Sequence, residues 1–374
     1  MLRLSIMGSA MFRNVMIGVL LSSSVAVAAP PPAKPSAAPV AAAKPAAAVT
    51  AAKPAATAGK PVAVSAKPMS TAPAAAAIVV PATISAPQRM LIRLEILLDR
   101  AHFSPGVIDG KDGSNLKLAL ASYAAANGLP ADTATAAITD KLVAADADMT
   151  VTRYTITDAD VAGPFVEHLP TDMTELAKLD SPAYSGPVEE LAERFHMDED
   201  LFKALNPGAD FAKAGTEITV AAVGKTKLAG AVTRIEVDKT AQAVRAFGDG
   251  GKLLAVYPAT VGSQERPAPD GSYKVRTVAP HATYTYDPKR LTFGDAGKGK
   301  LTIKAGPNNP VGTTWIALTK PTYGIHGSPD PRLIGKRASH GCVRLTNWDI
   351  EQLAAAVKAG AVVEFTGTEQ KAKT

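Results

Sequence analysis

From residue 29 to residue 83 the chain is mostly alanine and proline: 23 alanines, 11 prolines and five lysines occupy 55 positions. Each proline removes an amide donor and clashes with the preceding turn, so the alanines cannot join into one helix. No aromatic side chain is present to bury, and the stretch cannot offset its own chain entropy. It reads as an extended, semi-stiff tether with solvated lysines. Any packed core must therefore be built from the residues after it.

The tether also explains the charge. The chain has 374 residues and a formal net charge of +6, but Arg3, Arg13, Lys34, Lys44, Lys53, Lys60 and Lys67 all precede residue 84, where no acidic residue occurs. Beyond it 33 basic residues face 34 acidic ones, a near-neutral body without the basic surplus a nucleic-acid partner requires. Ahead of the tether, Arg3 and Arg13 flank a start that continues into the apolar run Val15 to Leu21 and then Ala26-Val27-Ala28. This is the pattern of a cleaved secretion signal over residues 1–28, and it predicts export to the periplasm or cell wall. The alternative, an uncleaved anchor that would be the chain's one membrane contact, is opposed by Ser22, Ser23 and Ser24. A lipid-modified anchor is excluded because no cysteine lies near the cleavage pattern.

Three segments follow. In residues 84–150, Leu91, Leu94, Leu97 and Leu98 recur at helical spacing, a second series holds Leu116, Leu118, Leu120 and Tyr123, and a third Ile138 and Leu142. Phe103 to Gly110 supplies turns between the first two, so a small three-helix unit is predicted. Residues 151–229 are more polar and predict two short helices, Val188 to Phe195 and Asp200 to Leu205, and a closing strand, Ile218 to Val220. His196, at a helix end there, reads as a capping or surface residue. Residues 230–367 predict a mainly β domain, with runs at Thr233–Asp238, Lys252–Tyr257, Gly271–Val275, Lys300–Ile303 and Thr314–Leu318. One helix, Asp349 to Val357, and a final strand, Val362 to Phe365, complete it before a short tail, 368–374.

The chain has one cysteine. In an oxidising compartment it cannot pair internally, and an idle exposed thiol is prone to oxidation. Cys342 lies in Ser339-His340-Gly341-Cys342-Val343-Arg344, and a second histidine lies in Tyr323-Gly324-Ile325-His326-Gly327-Ser328. A thiol attacks as its thiolate, and either His326 or His340 can take the proton. Amides around Gly341 can stabilise a tetrahedral oxyanion, and Arg344 can pair with a substrate carboxylate. Zinc is the rival reading, through His326, His340 and Cys342, but no fourth ligand stands at a persuasive spacing. Trp315 and Trp348 read as packing anchors. Tyr284 and Tyr286 fall in a polar stretch, 279–300, that reads as a lid or a surface loop, with His281 a weaker acid or base candidate.

These residues carry a resemblance. Residues 232–366 resemble the catalytic domain of the L,D-transpeptidase (YkuD-type) family, whose signature is a histidine, about fifteen residues, then Ser/Thr-His-Gly-Cys, a hydrophobic residue and Arg or Asn. Thr260-Val261-Gly262, Gly306 to Gly312, Ile334-Gly335 and Asn347-Trp348-Asp349 agree with it; Ala268-Pro269-Asp270-Gly271 departs mildly from the usual turn. The resemblance implies that Cys342 is the nucleophile and His326 the proton donor and acceptor, oriented by the carbonyl of Gly327. It implies oxyanion amides at Gly341 and Cys342, loop support from His340, and substrate contacts from Arg344, Ser339 and Tyr323. No metal or cofactor is expected. The implied partners are peptidoglycan stem peptides and glycan; the implied reaction is release of D-alanine from a tetrapeptide stem and 3→3 cross-linking. Water or a protein lysine as acceptor would give a carboxypeptidase or a protein-attaching enzyme. A binding-only wall protein is the remaining reading, and the retained cysteine opposes it.

Ahead of this domain, Phe103-Ser104-Pro105-Gly106-Val107-Ile108-Asp109-Gly110 with Gly128-Leu129 resembles the peptidoglycan-binding helical domain, with His102 where that family often has glycine. Leu191 to His196, Leu201 to Pro207 and Ala214 to Ile218 resemble the body of a LysM module, a small α+β fold over about 182–223, with no first strand evident before Val188.

Overall fold

The computed structural model describes residues 80–224, 227–262, 267–287, 299–336 and 341–369. The expected signal sequence, the tether up to residue 79, Ser339, His340 and the last five residues lie outside them. No helix among the described residues is long and apolar enough to cross a membrane.

Three helices open the described chain: α1 (Ala86–Arg100), α2 (Ser114–Ala126) and α3 (Thr135–Ala145). Ser85 starts α1 by accepting a hydrogen bond from the Gln88 amide at 3.3 Å, which satisfies one of the donors a helix start leaves free. Leu94, Leu97 and Leu98 of α1 pack with Leu116, Ala119 and Tyr123 of α2 and with Ile138 and Leu142 of α3. The helix is apolar on more than that face. Ile92 and Ile96 enter a second core with Leu191, Phe202, Leu205, Ile218 and Val220, so the first two segments share a helix instead of standing apart. His102 sits just past α1 at φ +64, in the left-handed region that favours glycine.

The second segment is bounded by β1 (Val151–Thr155) and β2 (Glu217–Ala221), paired antiparallel with Val151 opposite Ala221. Between them run α4 (Asp158–Ala162), α5 (Met173–Leu176), α6 (Pro187–Arg194) and α7 (Glu199–Leu205). A strand before Val188, which the sequence left unseen, is thus present, with residues 156–186 between it and α6. That excursion reaches the third segment, where the Asn308 amide donates to the Pro182 carbonyl at 2.9 Å and the Asn308 side chain to that of Ala183 at 3.0 Å.

His196 differs from its expected surface role. It is 7% exposed, with Nδ1 3.1 Å from Asp99 and its ring stacked on Trp348, 5.0 Å between centroids. A charged partner on α1 and an indole from the third segment explain why a polar ring is buried at a helix end.

The third segment holds β3 (Val232–Asp238), β4 (Ala243–Phe247), β5 (Leu253–Pro258), β6 (Thr260–Val261), β7 (Gly271–Pro280), β8 (Tyr284–Tyr286), β9 (Leu301–Ile303), β10 (Thr314–Leu318), β11 (Gly324–His326), β12 (Val343–Arg344), α8 (Asn347–Ala356) and β13 (Val357–Thr366). Nine strands form one sheet in the order β5-β4-β3-β13-β7-β10-β11-β12-β6. β8 and β9 make a separate antiparallel ribbon, so part of the stretch read as a lid or loop is strand. Ile316, Ile325, Val343 and Val261 are register partners across four strands, and all are core residues with Ile350 and Leu353 of α8. Strand alternation then places the residues on either side of them on the opposite face.

The helical unit grips this sheet. Ser104 donates from its amide to the Val256 carbonyl, Val256 donates to the His102 carbonyl, both at 2.9 Å, and Asn115 Nδ2 donates to the Ile334 carbonyl at 3.0 Å. The turn-rich loop that joins α1 to α2 is thus occupied by β5.

Candidate active site

The face opposite the core carries a row of four register partners: Trp315 on β10, His326 on β11, Arg344 on β12 and Thr260 on β6. Directly opposed residues share a face, so these side chains stand together. Cys342 lies in the turn immediately before β12, where the Gly324 backbone hydrogen-bonds it and Arg344 is near enough to act on it electrostatically. His326 and Arg344 are brought together as register partners on two very short strands, with Cys342 at the start of the second.

His326 is 3% exposed, and its Nδ1 donates to the Gly327 carbonyl at 2.7 Å. A carbonyl only accepts, so Nδ1 carries the proton, and in the neutral ring Nε2 is the free acceptor. Burial first, then the nearby Arg344 cation, hold the imidazole down to about 3. It is neutral at physiological pH. Burial pushes the Cys342 thiol up, while the Gly324 backbone hydrogen bond and Arg344 pull in the opposite direction. In the resting state the imidazole is neutral and the cysteine is a thiol.

Arg344 is half-buried, and among the described residues no carboxylate lies within 4.0 Å of its guanidinium. Its Nε is buried without a hydrogen-bond partner. The charged groups it senses are Cys342 and Tyr284. A cation in that position suits an incoming anion, either a carboxylate or a developing oxyanion.

Gly341 has φ +104, and a side chain there would press on the Pro267 carbonyl at 3.3 Å and the Tyr323 ring at 3.5 Å. Tyr323 thus borders the cysteine loop. Ser339 and His340 lie outside the described residues. His281, the weaker candidate, is exposed. Among the described residues no group of three or more His, Cys, Asp or Glu side chains is arranged to hold a metal ion.

Several contributors were not singled out for the site. Trp315 does pack, but against the catalytic candidate: its indole stacks on the His326 ring at 5.2 Å. Gly324 makes room for it, since a Cβ there would fall within the indole. Tyr284, read as part of a lid, is close enough to Cys342 and Arg344 for burial and the cysteine to push its hydroxyl up. Asn347 braces the opposite side. Its Oδ1 accepts from the Thr313 amide at 3.1 Å and fills the space beside Gly312 and Gly327. Its Nδ2 donates to Glu193 of α6 at 3.0 Å, so the second segment reaches the loop that orients His326. Only the Asn-Trp-Asp string offered a signal for this, and Glu193 offered none.

The sheet thus gathers, on neighbouring short strands and the turn before one of them, a half-buried thiol, a backbone-oriented imidazole and a guanidinium with no carboxylate partner among the described residues. Residues 232–365 match the YkuD family, the L,D-transpeptidase catalytic domain. The YkuD protein of Bacillus licheniformis is 26% identical over 179 residues, 48% of this chain and 93% of that protein. The YbiS protein of Escherichia coli K12 is 29% identical over 194 residues, 50% of this chain and 62% of its own length. Both are named as L,D-transpeptidases. Among solved structures, an L,D-transpeptidase from Mycobacterium smegmatis aligns with a TM-score of 0.30 at 20% identity, over 41% of this chain and 64% of that one. Residues 232–365 of this chain therefore form a YkuD-type L,D-transpeptidase catalytic domain.

Proposed function

We propose that this protein is an exported cysteine L,D-transpeptidase that joins peptidoglycan stems through an acyl-enzyme on Cys342. The observation that carries this reading is the pairing of His326 with Arg344 on adjacent strands, Arg344 acting in turn on Cys342, with His326 Nδ1 tied to the Gly327 carbonyl. A tetrapeptide stem docks with its terminal carboxylate toward Arg344. His326 Nε2 takes the thiol proton as Sγ attacks the carbonyl between the third residue and the terminal D-alanine. Amides at Gly341 and Cys342 face the oxyanion. Collapse breaks the C–N bond, the leaving amine takes the proton back from His326, and D-alanine departs, leaving a thioester. The amine of a second stem then attacks, gives its proton to His326, forms the new amide and restores the thiol. Acceptor choice is the finer part of the proposal, because water or a protein lysine would enter the same thioester.

Export rests on the charge and apolar pattern of residues 1–28, and glycan affinity of the first two segments rests on their sequence resemblances. Their packing against the catalytic domain suggests that they hold it to the wall as one body. The deciding experiment incubates the purified protein with disaccharide-tetrapeptide and follows products by mass spectrometry, with and without a second stem amine. Cross-linked dimer and free D-alanine support the reading. Loss of both products in wild-type protein, or their persistence in Cys342→Ala, overturns it.

A further inference from the structure

The connection that runs from His326 on β11 to Cys342 ahead of β12 has little regular structure of its own. Its described part, residues 327–336, holds one 3₁₀ turn, Pro331–Leu333. At its start the Gly327 amide donates to the Thr314 carbonyl of β10 at 3.2 Å. The far end leads directly into the cysteine loop, so whatever fixes that end helps to fix the thiol.

Thr260 of β6 is one such anchor. It is 2% exposed and the register partner of Arg344; its Oγ1 accepts from the Gly335 amide at 3.0 Å and donates to the Leu333 carbonyl at 3.5 Å. The other anchor comes from outside the catalytic domain. Asn115, in the first turn of α2, donates from Nδ2 to the Ile334 carbonyl at 3.0 Å. Ile334 is 1% exposed, and a backbone acceptor at that depth requires a donor. The fit is close at both ends of the carboxamide: a Cβ at Gly106 would come within 3.1 Å of Nδ2, and one at Gly335 would fall within Oδ1. Leu116, the next residue, is 2% exposed in the three-helix core, so Asn115 is mounted on a fixed element. Lys336 Nζ also reaches Asp109 Oδ2 at 4.0 Å, but a pair this exposed adds little by itself.

We propose that Asn115 is a positioning residue for Cys342. Through this carboxamide the helical unit holds the end of the connection against Thr260, and so sets the cysteine loop beside Arg344 and His326. The inference rests on the reading of Cys342 as the nucleophile, and it gives the first segment a part in the reaction that is separate from any affinity for glycan. Small displacements of a reacting atom cost rate steeply, so the loss on removing Asn115 falls on acylation and not on KM.

Asn115→Asp keeps the shape and removes the donor; Asn115→Ala removes both. Ser104→Ala is the control, because it breaks the 3.0 Å bond from Ser104 Oγ to Asp349, which ties the same helical unit to α8 without touching the connection. All are assayed as full chains, well below their thermal midpoints. Alkylation of Cys342 by iodoacetamide at pH 8 is expected to accelerate about threefold or more in both Asn115 variants, since a loosened loop exposes a buried thiol, and to keep the wild-type rate in Ser104→Ala. Acyl-enzyme formation at saturating disaccharide-tetrapeptide is expected to fall about tenfold in the Asn115 variants, with KM within about twofold of wild type. Unchanged alkylation in both Asn115 variants overturns the proposal. An equal change in Ser104→Ala does so too, since it would make the contact ordinary docking between segments, as does a raised KM at unchanged acylation. If wild-type protein forms no acyl-enzyme at all, the transpeptidase reading falls, while the alkylation comparison still decides whether Asn115 sets the cysteine loop.

Discussion

The indole of Trp315 lies nearly parallel to the imidazole of His326, with 17° between ring planes and 5.2 Å between centroids, and the two residues are register partners on β10 and β11. The stack leaves His326 one in-plane freedom, and the Gly327 carbonyl removes that as well. Orientation of the His326 ring is thus set by a neighbouring strand and by the backbone just beyond it.

Gly324→Ala tests this arrangement. The new methyl group would enter the Trp315 ring and approach the Ile316 carbonyl, and β10 cannot yield without moving its register partners. Overpacking of this kind costs about 1–3 kcal/mol. Turnover is expected to fall at least about tenfold, since small displacements of a base are costly. Thermal denaturation and a product assay on the same preparation measure both effects; unchanged turnover would show that the stack does not position the base.

The pH dependence of Cys342 alkylation follows from the protonation states. Burial holds the thiol above its usual range and His326 is held down to about 3, so no thiolate–imidazolium pair forms in the free enzyme near neutrality. The alkylation rate with iodoacetamide should climb with pH through and beyond about 8.5, the ordinary thiol range. A plateau between pH 5 and 7 would contradict this. Arg344→Gln removes a cation that favours the thiolate, so at pH 8 alkylation of that variant should be slower.

Much of this site could be read from the sequence because its chemistry is local. His326 and the Ser-His-Gly-Cys-Val-Arg string name the candidate groups from short motifs alone. The strands that deliver them were not legible. β11 spans three residues and β12 two, too short to show a period, and Gly324 removes the apolar character that would mark a strand. β1 was concealed by the excursion that follows it, and Glu193 became part of the support through packing between segments, which periodicity within a segment cannot reveal.

Asn347→Ala tests that support. The change leaves the Thr313 amide, Glu193 Oε2 and the Pro307 carbonyl without the side chain that bonds all three. A buried group deprived of its partner costs about 1–3 kcal/mol. A lower thermal midpoint and reduced turnover are expected, because the space beside Gly327 empties and its carbonyl can drift from His326. Full activity in a folded Asn347→Ala protein would detach α6 from the catalytic loop.

Stability should decline as pH rises from about 6.5 to about 9. Glu95, pushed up to about 9 chiefly by burial, and Glu193, pushed up to about 8, bind more protons folded than unfolded across this window. Asp349, pushed up to about 7 by burial and then by Asp99, acts in the same sense, as does His196, raised by Asp99 against its burial. Such groups stabilise the fold fully below their unfolded values and lose that contribution as pH passes their folded ones. His326, held down to about 3, and His102, lowered by its burial, oppose this only at the start of the window, since the unfolded imidazoles lose their protons by about pH 7.5. Thermal midpoints measured across the window should fall, and Glu95→Gln should flatten the decline; a midpoint that rises with pH would contradict the assignment.

The acyl-enzyme itself is the most direct measurement. Incubated with disaccharide-tetrapeptide and no amine acceptor, then quenched in acid, the protein should gain the mass of the donor less D-alanine. Fragmentation should place that mass on the peptide containing Cys342, and added stem amine should discharge it. An unmodified Cys342 throughout active turnover, or the same product rate in Cys342→Ala, would contradict the account.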